Sequence, residues 1–336
     1  MWGLRVKRFL VMVKFLMVAI AILSAVIVVA LSLVMTPMES LKTVDDVFGF
    51  ENMEEKSPGA VSLPTAIHRY VSRDGEKLAY RVYPSTSARI LLFVHGSSYH
   101  SAAYHYLAKS ISDAGLAKVY MPNLRGHYLS GARRGDIDHM GQLETDLADL
   151  IAHVRSEGDM GEIIVGGHSS GGGLAIRFAG GEHSALASGY WLLSPVIPGA
   201  PSVRDGDAGG WAIVNTGRLT GLLILNAFGI TGLNGLPVIE FNKPAVFRDG
   251  TETLSYSFRL NQSYHPRYNF DQDIQAMGDR VEVFIGEQDE AVDPEALKIV
   301  FANAGSKANV HVFPNVNHFG IFDSQSARQS IVDTLR

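Results

Sequence analysis

The sequence predicts an α/β protein with a mostly parallel sheet, on two observations. Short apolar runs of strand length alternate with helical patterns over most of the chain beyond residue 66. One of these runs, Ile90–Val94, is apolar throughout, which is typical of a parallel strand covered on both faces. The chain has 336 residues and is 46% hydrophobic, which is enough for one large domain with an accessory segment.

The N-terminal segment precedes this alternation. No residue from Phe15 to Met35 is charged, and this length suits a helix that crosses a bilayer. Basic residues precede the segment and mostly acidic residues follow it. Residues 1–36 are therefore predicted to form a cytoplasmic stub and a single-pass membrane anchor, with the body of the chain on the extracytoplasmic side. A cleaved signal peptide and a buried core helix are the alternatives.

Residues 37–63 are polar and acidic and predict a linker. Beyond them, two strand-like runs flank the turn sequence Ser72-Arg73-Asp74-Gly75, which predicts a hairpin. The elements predicted after the Ile90–Val94 strand are a helix over 102–114, a strand over 118–121, a helix over 143–155, a strand over 163–165, a helix over 172–179, strands over 190–193 and 281–285, a helix over 294–302, a strand over 310–313 and a helix from about 324.

The alternation fails between residues 198 and 277, which predicts an inserted cap. Its segment Leu219–Ile239 is uncharged but is broken by glycine, asparagine and proline, which disfavour a continuous helix. An apolar lid or pocket wall is the preferred interpretation, and a second membrane span is the alternative. The α/β core is then predicted to comprise residues 64–197 and 278–336.

The densest motif is the run Gly166–Gly173, which directly follows the apolar residues Ile163–Val165. Read as strand, sharp turn and helix, it contains a Gly-x-Ser-x-Gly nucleophile elbow centred on Ser169. Such a turn strains the backbone and exposes the serine hydroxyl, and glycines on either side give the turn room. A glycine-rich surface turn is the alternative for this motif taken alone.

A serine hydroxyl is a weak nucleophile and needs a histidine base that is oriented by a carboxylate. In chains with such an elbow, the acid and then the histidine follow the serine. Asp289 and His318 each lie in a loop just after a predicted strand, in that order. The alternative residues in these regions are Glu290, Asp293 and His311.

Five motifs together resemble α/β-hydrolases of the monoacylglycerol lipase and lysophospholipase type. Besides the elbow and the two loops after it, they are a His-Gly loop at His95-Gly96 and the segment Met121–Ser130. The latter has Asn123 and Tyr128 where that group usually has aspartate and glycine, so the shape of this loop is open. The resemblance implies a mostly parallel sheet with helices on both faces, an inserted cap and, for the site, the catalytic residues Ser169, Asp289 and His318 with oxyanion-hole N–H groups from Ser97 and Ser170.

The predicted function is a membrane-anchored serine hydrolase that cleaves a carboxylic ester, with a lipid-like monoglyceride or lysophospholipid favoured. Acyl transfer, thioester or amide cleavage by the same triad is the first alternative, and a non-catalytic binding protein is the second. The net charge of −5 and the absence of a basic patch argue against nucleic acid as a partner. No cofactor and no metal is expected: there is no cysteine, and the histidines lack a ligand spacing.

Overall fold

The computed structural model describes residues 2–38, Phe48, 64–204 and 210–336. Apart from its first two residues and Phe48, the predicted linker over 37–63 lies outside the described residues. The N-terminal helix α1 runs from Trp2 to Val34. Its residues 7–34 are long and apolar enough to cross a membrane, by length and composition.

The strands alternate with helices as the sequence predicts. In chain order the strands are β1 (His68–Val71), β2 (Lys77–Tyr83), β3 (Arg89–Val94), β4 (Lys118–Pro122), β5 (Glu162–His168), β6 (Gly189–Leu193), β7 (Ala212–Val214), β8 (Pro237–Phe241), β9 (Ser255–Ser257), β10 (Val281–Gly286) and β11 (Asn309–Phe313). The main sheet has the order β1-β2-β4-β3-β5-β6-β10-β11. Its pairs are parallel from β4 through β11, while β2 is antiparallel to both β1 and β4.

The helices after α1 are α2 (His105–Asp113), α3 (Gln142–Ser156), α4 (Ser170–Ala179), α5 (Thr216–Ala227), α6 (Phe258–Tyr264), α7 (Phe270–Met277), α8 (Pro294–Asn303), α9 (Gly320–Asp323) and α10 (Gln325–Leu335). They pack in two groups, α2 with α9 and α10, and α3 with α4, α6, α7 and α8. Strand β3 is buried from its second residue onwards. The predicted fold class is therefore confirmed.

The region predicted as a cap contains a second, antiparallel sheet of the order β7-β8-β9. It also contains α5, which packs along α1 rather than on the main sheet. The segment Leu219–Ile239 is not one continuous helix, because α5 ends at Ala227 and β8 begins at Pro237. Helix α7, at the end of this region, packs against α4.

Near the site, α4 is predicted to start at about Gly172 and starts two residues earlier, at Ser170. Glycine disfavours a helix locally, so the run Gly171–Gly173 conceals the helix start in the sequence. Close packing requires glycine at these positions: a Cβ on Gly172 would lie 2.9 Å from Pro195, and one on Gly173 would lie 2.7 Å from the carbonyl oxygen of Val196.

Candidate active site

Ser169 lies on a strained turn between β5 and α4. Its φ of 55° and ψ of −124° fall outside the usual regions for a residue with a side chain. The glycines on either side are required by close backbone approach. A Cβ on Gly167 would lie 2.4 Å from the carbonyl carbon of Gly171, and a Cβ on Gly171 would lie 2.4 Å from the carbonyl oxygen of Val94. This geometry agrees with the predicted nucleophile elbow and argues against a simple surface turn.

Asp289 and His318 form a buried pair after β10 and β11. His318 Nδ1 lies 2.9 Å from each carboxylate oxygen of Asp289. Asp289 Oδ1 also accepts the backbone N–H groups of Ala291 and Val292, at 2.9 and 2.8 Å. Burial opposes ionisation of Asp289, but the charge and hydrogen bond of His318 outweigh it and hold the pKa of this carboxyl below its usual value. The pair leaves Nε2 of His318 available for another partner.

The alternative acids and base have other partners. Glu290 accepts the backbone N–H of His318 at 2.8 Å, so it holds the histidine loop rather than the imidazole. Asp293 accepts the N–H of Ala296 and caps α8. His311 pairs with Glu282 at 2.7 Å, between the edge strand β11 and its neighbour β10. Of the residues weighed from the sequence, only Asp289 and His318 meet through their functional groups.

A hydrogen-bonded chain links the three loops that meet at the site. The backbone N–H of Gly96 donates to the Tyr104 hydroxyl at 2.8 Å. Tyr104 therefore donates to Nδ1 of His168, at 3.0 Å, and Nε2–H of His168 donates to the carbonyl oxygen of His318, at 2.9 Å. Burial, followed by the neighbouring His318, holds the pKa of His168 well below its usual range, so the imidazole is neutral. His168 thus connects the elbow to the histidine loop.

The position of Ser169 follows from this linkage, because it is the next residue after His168. Among the described residues, no hydrogen bond joins Ser169 Oγ to His318. Catalytic hydrogen bonds are often formed only with substrate bound. The loop after β3 also lies close to Ser169, since a Cβ on Gly96 would lie 3.3 Å from Cβ of Ser169.

The backbone N–H groups of Ser97 and Ser170 donate no hydrogen bond within the described part of the chain. Both residues are buried. The next residue, Ser98, has a φ of 71° and donates its N–H to the Tyr256 hydroxyl at 2.7 Å. Tyr256 thus holds the turn that presents Ser97. Two unpaired backbone donors beside a serine are what an oxyanion hole requires.

Buried histidines and tyrosines hold the turn at Ser97 and Ser98 in place through hydrogen bonds. His127 Nδ1 donates to the Arg125 carbonyl oxygen, so its Nε2 accepts the Tyr256 hydroxyl at 2.7 Å. His95 Nε2 accepts the N–H of Leu124 at 3.1 Å, and the Tyr264 hydroxyl donates to the carbonyl oxygen of His95. Burial lowers the pKa of His127 to about 3 and that of His95 well below its usual range. These side chains are therefore neutral supports.

The two departures from the hydrolase pattern are accommodated locally. Asn123 Oδ1 accepts the backbone N–H of Ser101 at 2.9 Å, and Asn123 Nδ2 donates to the carbonyl oxygen of Tyr128 at 2.7 Å. The Tyr128 ring lies 4.8 Å from that of His100. Nearby, Arg125 makes a paired hydrogen bond to the buried carboxylate of Asp146, at 2.9 and 2.7 Å. The loop over Met121–Ser130 is thus held by hydrogen bonds at both ends.

An aromatic wall that sequence reasoning missed lies beside His318. Phe48, from the predicted linker, is buried with its ring centroid 6.1 Å from the His318 ring, 5.7 Å from Trp211 and 5.4 Å from Phe319. Trp211 Nε1 donates to Ser97 Oγ at 3.0 Å, which ties this wall to the oxyanion turn. No local signal marks Phe48 in a polar linker. Among the described residues, no cluster of histidine and carboxylate side chains is arranged to hold a metal ion.

The fold and this site define an α/β-hydrolase, and comparison with known proteins agrees. Residues 91–329 match the alpha/beta hydrolase family, and the chain belongs to that family. This confirms the resemblance and the fold class inferred from the sequence.

Individual relatives extend the comparison. A monoacylglycerol lipase of Mycolicibacterium smegmatis is 28% identical over 201 residues, which cover 58% of this chain and 65% of that protein, less than two thirds of its length. A soluble variant of the Saccharomyces cerevisiae monoglyceride lipase, solved with a substrate analogue, superposes with a TM-score of 0.57 at 17% identity, covering 83% of this chain and 96% of that one. The Paleococcus ferrophilus monoacylglycerol lipase gives 0.54 at 20% identity, covering 77% and 98%. At these identities the solved structures support the fold alone.

Proposed function

We propose that this protein is a membrane-anchored serine hydrolase that cleaves carboxylic esters through Ser169, His318 and Asp289. The observation that carries the proposal is the buried Asp289–His318 pair at 2.9 Å, linked through His168 to the strained turn of Ser169. A binding protein without catalysis has no need for a buried histidine held by a carboxylate next to a serine elbow.

In the proposed reaction, His318 Nε2 takes the Ser169 hydroxyl proton as Ser169 Oγ attacks the ester carbonyl carbon. Asp289 holds the Nδ1–H tautomer and stabilises the imidazolium. The carbonyl oxygen becomes an oxyanion, which the N–H groups of Ser97 and Ser170 stabilise, at about 3–4 kcal/mol for each donor. The tetrahedral intermediate expels the alcohol, which receives the proton from His318. Water, deprotonated by the same imidazole, then attacks the acyl carbon. The bond to Ser169 Oγ breaks, His318 returns the proton to that oxygen, and the acid is released.

A lipid-like ester is the favoured substrate class, and a monoglyceride or a lysophospholipid fits it. The names of the relatives and the aromatic wall of Phe48, Trp211 and Phe319 beside His318 support an apolar acyl group. Acyl transfer, thioester cleavage or amide cleavage would use the same residues. An ester panel of rising acyl length tests this part, and a strict preference for acetyl esters contradicts it.

The contacts at the end of α1 support a retained anchor over a cleaved signal peptide. Arg218 donates to the carbonyl oxygens of Val34 and Thr36, at 3.0 and 2.9 Å, and so caps the helix C-terminus. Asn215 also donates to Thr36 O and Pro37 O, each at 3.0 Å. Cleavage would remove partners from buried polar groups. The basic residues before the span favour a cytoplasmic N-terminus with the catalytic domain on the other side of the membrane. Protease protection of sealed vesicles tests this orientation.

A fluorophosphonate probe tests the nucleophile directly. Wild type should be labelled and Ser169→Ala should not. The matched control is Ser330→Ala, which removes an exposed hydroxyl on α10 and should leave labelling unchanged. Equal labelling of Ser169→Ala and wild type would overturn the assignment of Ser169.

A further inference from the structure

Helix α5 is in backbone contact with the C-terminal part of α1. A Cβ on Gly221 would lie 2.5 Å from the carbonyl oxygen of Ala30 and 2.9 Å from Val34. A Cβ on Gly217 would lie 2.7 Å from Oγ1 of Thr36. Glycines four residues apart let two helices approach this closely, which is a common contact between helices in membranes.

The direction of α5 follows from these contacts. Gly217 faces Thr36 and Gly221 faces Ala30 and Val34, so α5 runs back along α1. A bilayer core of about 30 Å needs about 20 helical residues, which the uncharged part of α1 up to Val34 supplies. The 12 residues of α5 extend about 18 Å, or about three fifths of that thickness. If α1 spans a membrane, α5 lies at the depth of the leaflet at the C-terminal end of α1.

The outward surface of this region is apolar. We call residues 216–236 the α5 hairpin, because the chain turns after α5 and returns to β8. Leu223, Phe228 and Ile230 expose 48%, 49% and 38% of their surface, and no residue from Leu219 to Ile239 is charged. Val28 and Leu31 of α1 are also exposed. The two surfaces lie at one depth and have the same apolar character.

Several polar groups of the α5 hairpin are paired within the hairpin. Asn226 and Asn234 exchange hydrogen bonds through their amides, at 2.7 and 2.8 Å. In the turn, the N–H groups of Phe228 and Ile230 donate to the carbonyl oxygen of Leu225. Backbone and amide groups that are paired within the chain are what a lipid environment requires. Arg218, at the open end of the hairpin, lies level with the end of α1, where a cation suits the lipid headgroups.

We propose that the α5 hairpin inserts among the lipid acyl chains of the leaflet that surrounds the C-terminal end of α1. The inference rests on the membrane anchor in the proposed function and deepens it, because it fixes the cap at the lipid surface. The hairpin begins only a few residues after Trp211, which contacts Phe319 and donates to Ser97. An ester in that leaflet therefore has a short path to Ser169.

Single cysteine residues can test this in the full chain, which has no native cysteine. Phe228→Cys reports on the hairpin, Ile22→Cys reports on α1, and Tyr268→Cys reports on a fully exposed site outside both. Each is labelled with an environment-sensitive fluorophore in phosphatidylcholine vesicles and quenched by spin-labelled lipid or by aqueous iodide. The probe at 228 should behave like that at 22, with severalfold stronger lipid quenching and severalfold weaker iodide quenching than at 268.

The outcomes separate the two proposals. A lipid-exposed probe at 22 with a water-exposed probe at 228 overturns the inserted hairpin and leaves the anchor standing. Water exposure at both positions overturns the anchor and the hairpin together. A probe at 228 that is shielded from both quenchers, with cysteine cross-linking between copies, identifies a second copy of the chain as the partner and also overturns the proposal. Ester hydrolysis is measured in parallel and is independent of these results.

Discussion

The catalytic loops and the α1–α5 contact are held together by opposite means. Around Ser169, buried polar side chains such as Tyr104, His168 and Tyr256 fix loops through single hydrogen bonds to backbone groups. Between α1 and α5, glycines let apolar helix surfaces meet, and polar contacts cap only the helix end. The comparison teaches that the chemistry depends on atomic positions, whereas the placement of the cap depends on packing. Substitutions should therefore affect the two regions differently.

The largest expected effect is at the carboxylate of the catalytic loops. Asp289→Asn should lower kcat by about 10⁴-fold, because the amide favours the wrong imidazole tautomer. Glu290 contacts the histidine loop through the His318 N–H and not through the imidazole, so Glu290→Gln should lower kcat far less. Steady-state ester kinetics measure both. If Glu290→Gln is the more damaging of the two, the assignment of the acid is wrong.

Two glycine substitutions contrast the regions directly. Gly171→Ala places a Cβ 2.4 Å from Val94 O and 2.5 Å from His95 O, and both atoms belong to the backbone leading into the oxyanion turn. It should abolish probe labelling. In Gly221→Ala the added Cβ meets α1, which can move as a rigid helix. This variant should keep hydrolysis of a short soluble ester and lose about 1–3 kcal/mol of stability.

Gly232→Ala is the control for this pair, because a Cβ there meets no atom within 4 Å. Its thermal unfolding and activity should match those of wild type. Loss of soluble-ester activity in Gly221→Ala at a temperature where the variant is folded would show that the two regions are not separable.

Mild acid should destabilise the fold through histidines whose pKa is lowered by burial. Burial lowers the pKa of His127 to about 3 and the pKa values of His100 and His265 to about 4. Above pH 6.5 the folded and unfolded states both hold these histidines neutral, so they have no effect. Below it the unfolded state binds protons first, and stability falls as the pH approaches 4. At pH 5 the buried His127 should cost up to about 2 kcal/mol, and the partly buried His100 and His265 should cost less.

Denaturant unfolding in detergent at pH 7.5 and 5 measures this loss. Asp289 does not contribute in this range, because its pKa is lowered and its stabilisation is lost only below the usual carboxylate range. His265→Gln should flatten the pH dependence, whereas His139→Gln, at an exposed position, should not. Unchanged stability between the two pH values would contradict neutral buried histidines.

The smallest expected effect is at the support of the oxyanion turn. Tyr256→Phe leaves the Ser98 N–H without its acceptor at 2.7 Å, at a cost of about 1–3 kcal/mol. The resulting shift of Ser97 should lower kcat by about 10- to 100-fold with little change in KM. Tyr268→Phe, at a fully exposed ring, is the control. A change in KM alone would indicate that Tyr256 acts on substrate binding instead.

The core and the principal site residues were predictable from the sequence because their signals are local. Strand β3 is a continuous apolar run, and Ser169, Asp289 and His318 each follow a strand that the pattern identifies. The pairing of Asp289 with His318 agrees with that prediction, and the role of Ser169 remains a prediction until it is tested.

The supports of the site were not predictable, because each depends on a partner distant in sequence. Tyr256 is 158 residues from Ser98, and nothing beside either residue indicates the pairing. Phe48 stands in a polar linker, and only the folded chain brings it to His318. The α1–α5 contact was hidden for another reason: glycine in α5 indicates a break locally but forms a helix contact in the fold.

The most direct test of the central claim is the location of the acyl group during turnover. Wild type is mixed with an activated medium-chain ester, quenched in acid within the first turnover and mapped by peptide mass spectrometry. The account predicts one acyl group, on Ser169, and none in His318→Ala under the same conditions. Turnover with no acyl group on Ser169, or with the acyl group on another residue, would contradict it.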